Sequence, residues 1–496
     1  MAPFADFLFF GVMLYILLPT ILLGLFGKAN ARWAFIATLM GLCVTYWDEL
    51  IVRPKTAAHG AIVLPFLAIL LGYAVYQLIL TMCFFRWRSR PFFYVAVGLS
   101  ILPLAASKFL PLIPDTAFGF LGISYVTFRA LDVIFSINDK VLTTFSPTQY
   151  LAFVFFFPTI SSGPVDRYRR FAGDWNRLRG RHEFLDDLDA AIARIFQGFL
   201  YKFIVAALLE KYWVGPALKQ TGVHGVANYM YAYTFYLFFD FAGYSAFAIG
   251  FSRLFGIKSP ENFDKPFLSR NIRDFWNRWH ISLSFWFRDH VYMRFLLAAG
   301  KGKWFKGKHT ASYAGLFLTF MLMGIWHGPE RYYLLYGAYH ASLLCGYDIF
   351  ARWNKQAKRW PDGPFMRVVN IVLTFHAIAF GLLIFSGRLS PHPLPRHEEV
   401  AETVDCHVIS GYVWDATNPD GALEVDIYID DGYLGRVKAN ELRTELREKG
   451  YGNGQHGFTF QVPDYFHDGK PHRVEAAVVP GGRTLRNTPE IITCPH

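Results

Sequence analysis

Long apolar runs separated by short polar links dominate the first 387 positions. The series opens at residues 7–26, where Pro19 is expected to bend the helix. Further runs cover roughly 33–50, 60–84, 92–110, 118–137, 148–163, 190–212, 226–250, 310–328, 331–350 and 368–387. Most approach the ~20 residues that a helix needs to cross hydrocarbon. The pattern predicts a polytopic α-helical membrane protein with about eleven membrane segments, several of them short or polar enough to be re-entrant. Residues 7–26 lack a strongly basic lead and are read as a retained segment, not a cleaved signal.

One stretch breaks the pattern. Residues 263–298 mix Phe267, Phe275, Trp276, Trp279 and Trp286 with Arg270, Arg273, Asp274, Arg278, His280, Arg288 and Asp289. Bare hydrocarbon does not tolerate so many ionisable groups, so this element lies along the interface or lines a water-accessible cavity inside the bundle.

After Phe385 the period changes to two. Pro391, Pro393 and Pro395 mark a linker, drawn at 388–403, and residues 404–496 read as a small β-sandwich. Strands are expected at Ser410–Trp414, Leu423–Ile429, Gly457–Val462 and His472–Val479, with a short helix at Ala439–Lys449. The membrane domain is thus drawn at 1–387.

Composition agrees with this division. Of 496 residues, 53% are hydrophobic, 18% aromatic and only 18% charged, which excludes a disordered chain or an ordinary soluble enzyme. The formal net charge of +11 divides into +17 for residues 1–387 and −6 for 388–496. A surplus of Lys and Arg in short links fits the positive-inside bias and anionic membrane lipids, not nucleic acid. Arg86–Arg90 and Arg352–Arg359 are expected in the cytoplasm. Counting spans from them puts the N-terminus and the tail outside. Arg167–Arg181 also belongs inside, which requires a re-entrant element near 118–163. Cys406 and Cys494 bracket the tail domain; a bridge between them fits an oxidising compartment, and two unrelated free thiols are the alternative.

Two histidines stand out as candidates for proton transfer. His280 follows Phe275-Trp276-Asn277-Arg278-Trp279, and His327 lies in Gly324-Ile325-Trp326-His327-Gly328-Pro329, flanked by helix breakers where water can enter. The bland alternative for each is a helix-to-helix hydrogen bond. Ser269, Ser282 and Ser284 lie near His280 but in no nucleophile elbow. His280, His290 and His327 lack the spacing of a metal site, so no metal is expected. His340 reads as a packing or cavity-lining residue.

Residues 260–294 (PENFDKPFLSRNIRDFWNRWHISLSFWFRDHVYMR) together with MGIWHG at 323–328 resemble the membrane-bound O-acyltransferase family. The resemblance covers roughly residues 5–387. Within the family the chain is most similar to the branch that transfers D-alanyl groups to envelope polymers. The sister, alginate-type O-acetyltransferase branch follows its motif with Pro-Leu-Gly-Gly-Asn, where this chain has Met293-Arg294-Phe295-Leu296. The resemblance implies that His327 is the catalytic base and His280 its partner. It also implies a tunnel through a thin centre, open to the cytoplasm and to the outside.

The implied donor is a D-alanyl thioester on the phosphopantetheine arm of a small acidic acyl-carrier protein. No cofactor is permanently bound. The implied acceptor is a hydroxyl of an extracytoplasmic, teichoic-acid-like polymer, with an extracytoplasmic accessory protein as a further candidate partner. O-acetylation of an exported polysaccharide and a non-catalytic transporter or scaffold are the alternatives. His280 or Asn277 is expected to steady the oxyanion. Asp240, in the family-like segment Phe238–Ser245, orients the donor or joins two helices. Lys301, Lys303 and Lys306 are candidates for carrier docking. In the tail, Tyr412, Trp414, Asp415 and His456 are candidates for sugar contact, with core packing as the alternative. The inner membrane is the expected location.

Overall fold

A computed structural model describes residues 7–30, 36, 39, 40, 66–109, 122–218, 220, 222–361, 363–390, 397–415, 418–430, 432–479 and 483–495. The described residues form two compact units, one within 7–390 and one within 397–495. The expected segment at 33–50 lies almost wholly outside them.

The first unit is helical. Its elements are α1 (Phe7–Leu25), α2 (Phe66–Arg86), α3 (Arg90–Phe109), α4 (Ile123–Asn138), α5 (Pro147–Val154), α6 (Tyr168–Trp175), α7 (Arg181–Leu218) and α8 (Gly222–Leu254). They continue with α9 (Ile272–Trp276), α10 (Ile281–Phe287), α11 (Met293–Gly302), α12 (Lys308–His327), α13 (Arg331–Ala357) and α14 (Pro364–Phe385). A short antiparallel bridge joins β1 (Ala29–Asn30) to β2 (Leu178–Arg179). Among the described residues, α3, α7, α8, α14 and the Ile69–Arg86 part of α2 are long and apolar enough to cross a membrane. Multiple apolar helices of this length make a multi-pass membrane protein.

The usual burial pattern is inverted, as lipid allows. On α2 the outward residues Leu71, Val75, Ile79 and Met82 are exposed, whereas Gln77 and Thr81 are fully buried. Gln77 donates to the Tyr73 hydroxyl (2.7 Å) and to the Ser100 carbonyl (3.0 Å), and Tyr73 meets Thr127 Oγ1 at 2.7 Å. Three helices, α2, α3 and α4, are thus joined by polar side chains in a medium that offers no water.

The run expected at 148–163 is not one helix. Ser146 caps α5 and Pro147 starts it, but the helix stops at Val154. There the buried Arg129 guanidinium donates to the carbonyls of Phe153 (3.0 Å), Val154 (3.1 Å), Phe156 (3.3 Å) and Thr159 (2.7 Å). A charged side chain takes the carbonyls that the next helical turn would use, and a 3₁₀ turn at Phe157–Thr159 follows. Phe155, Phe156, Phe157 and Thr159 are all buried, so protein encloses this irregular backbone.

The tail unit contains two antiparallel sheets. One runs β10 (Arg483–Thr484), β9 (Pro471–Val479), β5 (Glu424–Ile429), β6 (Gly432–Lys438), with β11 (Glu490–Thr493) also on β9. The other runs β3 (His397–Val404), β4 (Val408–Asp415), β8 (Gln455–Gln461), β7 (Glu441–Leu442). Alternate residues Val425, Ile427 and Ile429 of β5 and Val474, Ala476 and Val478 of β9 enter a common core with Ile409, Val413 and Phe458 from the second sheet. Two boundaries differ from expectation. β3 begins inside the anticipated linker, because Ala401 is needed in the core. The helix anticipated at 439–449 is only α15 (Thr444–Glu448), since 441–442 pair with β8 instead. Cys406 and Cys494 form a disulfide with Cα atoms 5.3 Å apart.

Candidate active site

The polar stretch at 263–298 folds as a chain of short pieces, and this is what delivers His280. Two backbone contacts pin the loop: Ile281 N–H donates to the Asn262 carbonyl, and Asp264 N–H to the Arg278 carbonyl, each at 3.0 Å. The Asn262 side chain then ties neighbouring elements together. It accepts from Ser282 Oγ (2.5 Å) and donates to Ser245 Oγ of α8 (3.1 Å), while Ser282 Oγ accepts from Val165 N–H (2.9 Å). Trp279 fills the adjoining space between Phe263 and Phe275. Held this way, His280 adopts φ 43° and ψ 51° and starts α10 from the left-handed region.

His327 is the last residue of α12. The helix stops there because Gly328 is extended (φ 173°, ψ 173°) and Pro329 cannot continue it. Its ring packs against Trp326 (4.5 Å), Phe385 of α14 (4.8 Å) and Tyr333 of α13 (5.6 Å). Close approach of α12 and α13 fixes this wall: a Cβ at Gly324 would lie 2.4 Å from the Tyr333 carbonyl oxygen.

His280 and His327 open onto the same cavity of about 280 Å³. Tyr125, Ser162, Asp240, Tyr244 and Tyr336 add further polar groups, and Trp276, Trp279, Phe241 and Phe385 supply much of its apolar wall. His280 Nδ1 is buried with no hydrogen-bond partner among the described residues. A buried ring nitrogen without a partner, on a cavity wall, leaves a position for a reacting group. Asp240 is ion-paired with Lys202 of α7 while also lining the cavity. The arrangement combines two imidazoles, hydroxyls, a carboxylate and an aromatic wall, which suits proton transfer coupled to acyl transfer.

Residues 135–386 match MBOAT, the membrane-bound O-acyltransferase family. The chain is 43% identical over 407 residues to a teichoic acid D-alanyltransferase of Bacillus subtilis, an alignment covering 79% of this chain and 100% of the relative. The chain belongs to this family. It is therefore an acyltransferase. A teichoic acid D-alanyltransferase of Streptococcus thermophilus is 40% identical over 403 residues, 77% of this chain and 94% of the relative. A probable alginate O-acetylase of Pseudomonas aeruginosa is 35% identical over 275 residues, only 54% of this chain and 49% of the relative.

Other sequence candidates of this acyltransferase fall elsewhere. Asn277 lines a neighbouring cavity of about 340 Å³, not the one holding the histidines; the two cavities share Trp276 and Met323. Lys301, Lys303 and Lys306 are exposed, at the end of α11 and in the loop that follows. The hydroxyls of Ser269, Ser282 and Ser284 donate to the Pro266 carbonyl, to Asn262 and to the Trp279 carbonyl, so each is engaged with a group other than a histidine ring. His290 bonds Asp132 (2.9 Å), and His340 is fully buried beside Trp276 and Tyr336. Among the described residues no cluster of three or more His, Cys, Asp or Glu is arranged to hold a metal.

In the tail, Tyr412 and Trp414 are 9% and 2% exposed and His456 is fully buried. Trp414 stacks on Tyr451 at 4.7 Å and donates its Nε1–H to the Pro419 carbonyl (3.1 Å), so packing and turn closure account for both ring and N–H. Asp415 is half-buried at the end of β4.

Sequence reasoning missed Tyr125, Tyr336, Arg129 and Lys108. An ionisable residue inside an apolar run was the available signal for the last two. The tyrosines carried none, because only tertiary folding brings them to the cavity.

Proposed function

We propose that this chain moves a D-alanyl group from a carrier-protein thioester to a hydroxyl of an extracytoplasmic polymer. The observation that carries the reading is the convergence of His280 and His327 on one aromatic-walled cavity. Similarity to D-alanyltransferases over more than three quarters of the chain supports the choice of acyl group. In this reading the His327 imidazole takes the acceptor's hydroxyl proton as the oxygen attacks the thioester carbonyl. The C–O bond forms, the C–S bond breaks, and the thiolate leaves and is protonated to the free thiol. His280 donates to the developing oxyanion. Asn277 belongs on the donor's path: its cavity adjoins the histidines across Trp276 and Met323, and the phosphopantetheine arm enters there. Lys301, Lys303 and Lys306 then give an acidic carrier protein a basic cytoplasmic surface.

Residues 1–387 form the catalytic domain, with about eleven membrane segments. The tail reads as a two-sheet sandwich on the extracytoplasmic side of the inner membrane, where its disulfide belongs. The decisive experiment is mass spectrometry of ester-linked groups on envelope polymers from cells carrying the intact protein or His327→Ala. The expected result is loss of D-alanyl esters from one polymer with the variant still in the membrane. Loss of acetyl esters instead assigns acetyl transfer, and unchanged esters remove His327 as the base.

A further inference from the structure

Lys108 is the second-last residue of α3, a helix that is otherwise almost entirely apolar. Its half-buried ammonium donates to the backbone carbonyl of His327, 219 positions away, at 3.3 Å. A lysine within an apolar segment is costly and is retained where it has a defined partner. The partner here is the carbonyl end of α12. That end has no ordinary backbone cap: Gly328 is extended, and among the described residues no N–H from beyond it turns back onto the last turn. The carbonyls at a helix end carry partial negative charge, which a cation satisfies. Glu330 lies close by, since a Cβ at Gly328 would fall 2.2 Å from Glu330 Oε2.

We propose that Lys108 is a positioning residue for His327: its ammonium closes the open end of α12 and fixes where the imidazole enters the cavity. The inference rests on His327 being the base. It assigns α3, which contributes nothing to the cavity wall, a part in the reaction. Removing the ammonium frees the terminal carbonyl to seek another donor, and the last turn, which carries His327, shifts with it.

The test is steady-state transfer of labelled D-alanine from a loaded carrier protein to polymer in inverted membrane vesicles. Full-length Lys108→Met, Lys108→Gln, Lys108→Arg and His327→Ala are compared at equal protein. Lys108→Met is expected to lower kcat about 100-fold, a loss that holding a reacting group about 1 Å out of place can produce. KM for the loaded carrier stays within about two-fold, because the donor path is untouched. Lys108→Arg restores most of the rate. Lys108→Gln, which keeps a donor without the charge, falls between them and stands in for Lys108→Met if that variant is not recovered. Parental kcat in Lys108→Met or, in its place, Lys108→Gln overturns the proposal, as does a loss that Arg does not restore. Transfer by His327→Ala would instead sink the assignment of the base, whatever the lysine variants do.

Discussion

His280 sits at φ 43° and ψ 51°, a region where non-glycine residues are held only by their surroundings, at a cost of about 1–3 kcal/mol. Asn tolerates this conformation and β-branched residues do not. The backbone and ring contributions are therefore separable. His280→Asn is expected to reach the membrane at parental levels yet lose about 10²-fold in kcat, the magnitude of a missing oxyanion donor. His280→Val is expected to reduce the amount of folded protein extracted in detergent. Parental kcat in the Asn variant would remove the ring from the chemistry. The two histidines were legible in the sequence because breakers and aromatic residues frame them, and Asp240 because it lies in a family-like segment. Asn277 is three positions from His280 but lines the adjoining cavity, while Trp276 and Trp279 on either side of it face the histidines, a division of side chains within one short segment that sequence spacing does not show.

Among the elements, α12 and α13 form the wall that carries His327, and their approach is set by small residues. A Cβ on Gly337 would lie 2.4 Å from the Phe320 carbonyl oxygen, a backbone atom that cannot swing aside. Gly346, nine positions on in the same helix, has nothing within 4 Å of its Cβ position. Gly337→Ala is expected to cost about 1–3 kcal/mol through overpacking. Gly346→Ala is expected to be neutral or to gain up to about 1 kcal/mol from helix propensity. Thermal unfolding of the detergent-solubilised protein checks both; equal midpoints for the two variants would show that the helices are not locked at Gly337. The long apolar helices were readable because length and hydropathy are local properties. The end of α5 was not, since the residue that stops it, Arg129, is more than twenty positions away in sequence. The 439–449 stretch was overread for a related reason: helix propensity is local, and pairing with β8 overrode it at 441–442.

For the molecule as a whole, the two units respond to different variables. The membrane unit depends on lipid and on helix packing, whereas the tail carries its own disulfide and a titratable clasp. His472 Nδ1 bonds Asp430 (2.7 Å) in the β5–β6 turn, and its Nε2 bonds Asp468 (2.9 Å) in the loop before β9. Gly469 N–H of that loop donates to the Cys494 carbonyl (2.8 Å), so the clasp and the disulfide fasten the same corner. Bonds from Asp430 and Asp468 hold His472 above its ordinary value of 6.5. The bond from His472 and the Arg473 N–H hold Asp430 below the carboxylate value of 3.8, and backbone and histidine bonds do the same for Asp468. A raised histidine contributes stability that is complete below its unfolded value and is lost as pH rises through the folded one. A lowered carboxylate contributes stability that is complete above its unfolded value and is lost as pH falls through the folded one. The clasp is therefore strongest between about pH 4 and 6.5 and weakens on the alkaline side as His472 loses its proton. Hydrogen exchange of the full-length protein is expected to show faster exchange in 424–438 and 464–475 at pH 8.5 than at pH 5.5, after correction for intrinsic rates. His472→Gln is expected to flatten that dependence while β4 and β8 exchange as before. A parent protein with pH-independent protection in both segments would show that the disulfide alone holds the corner.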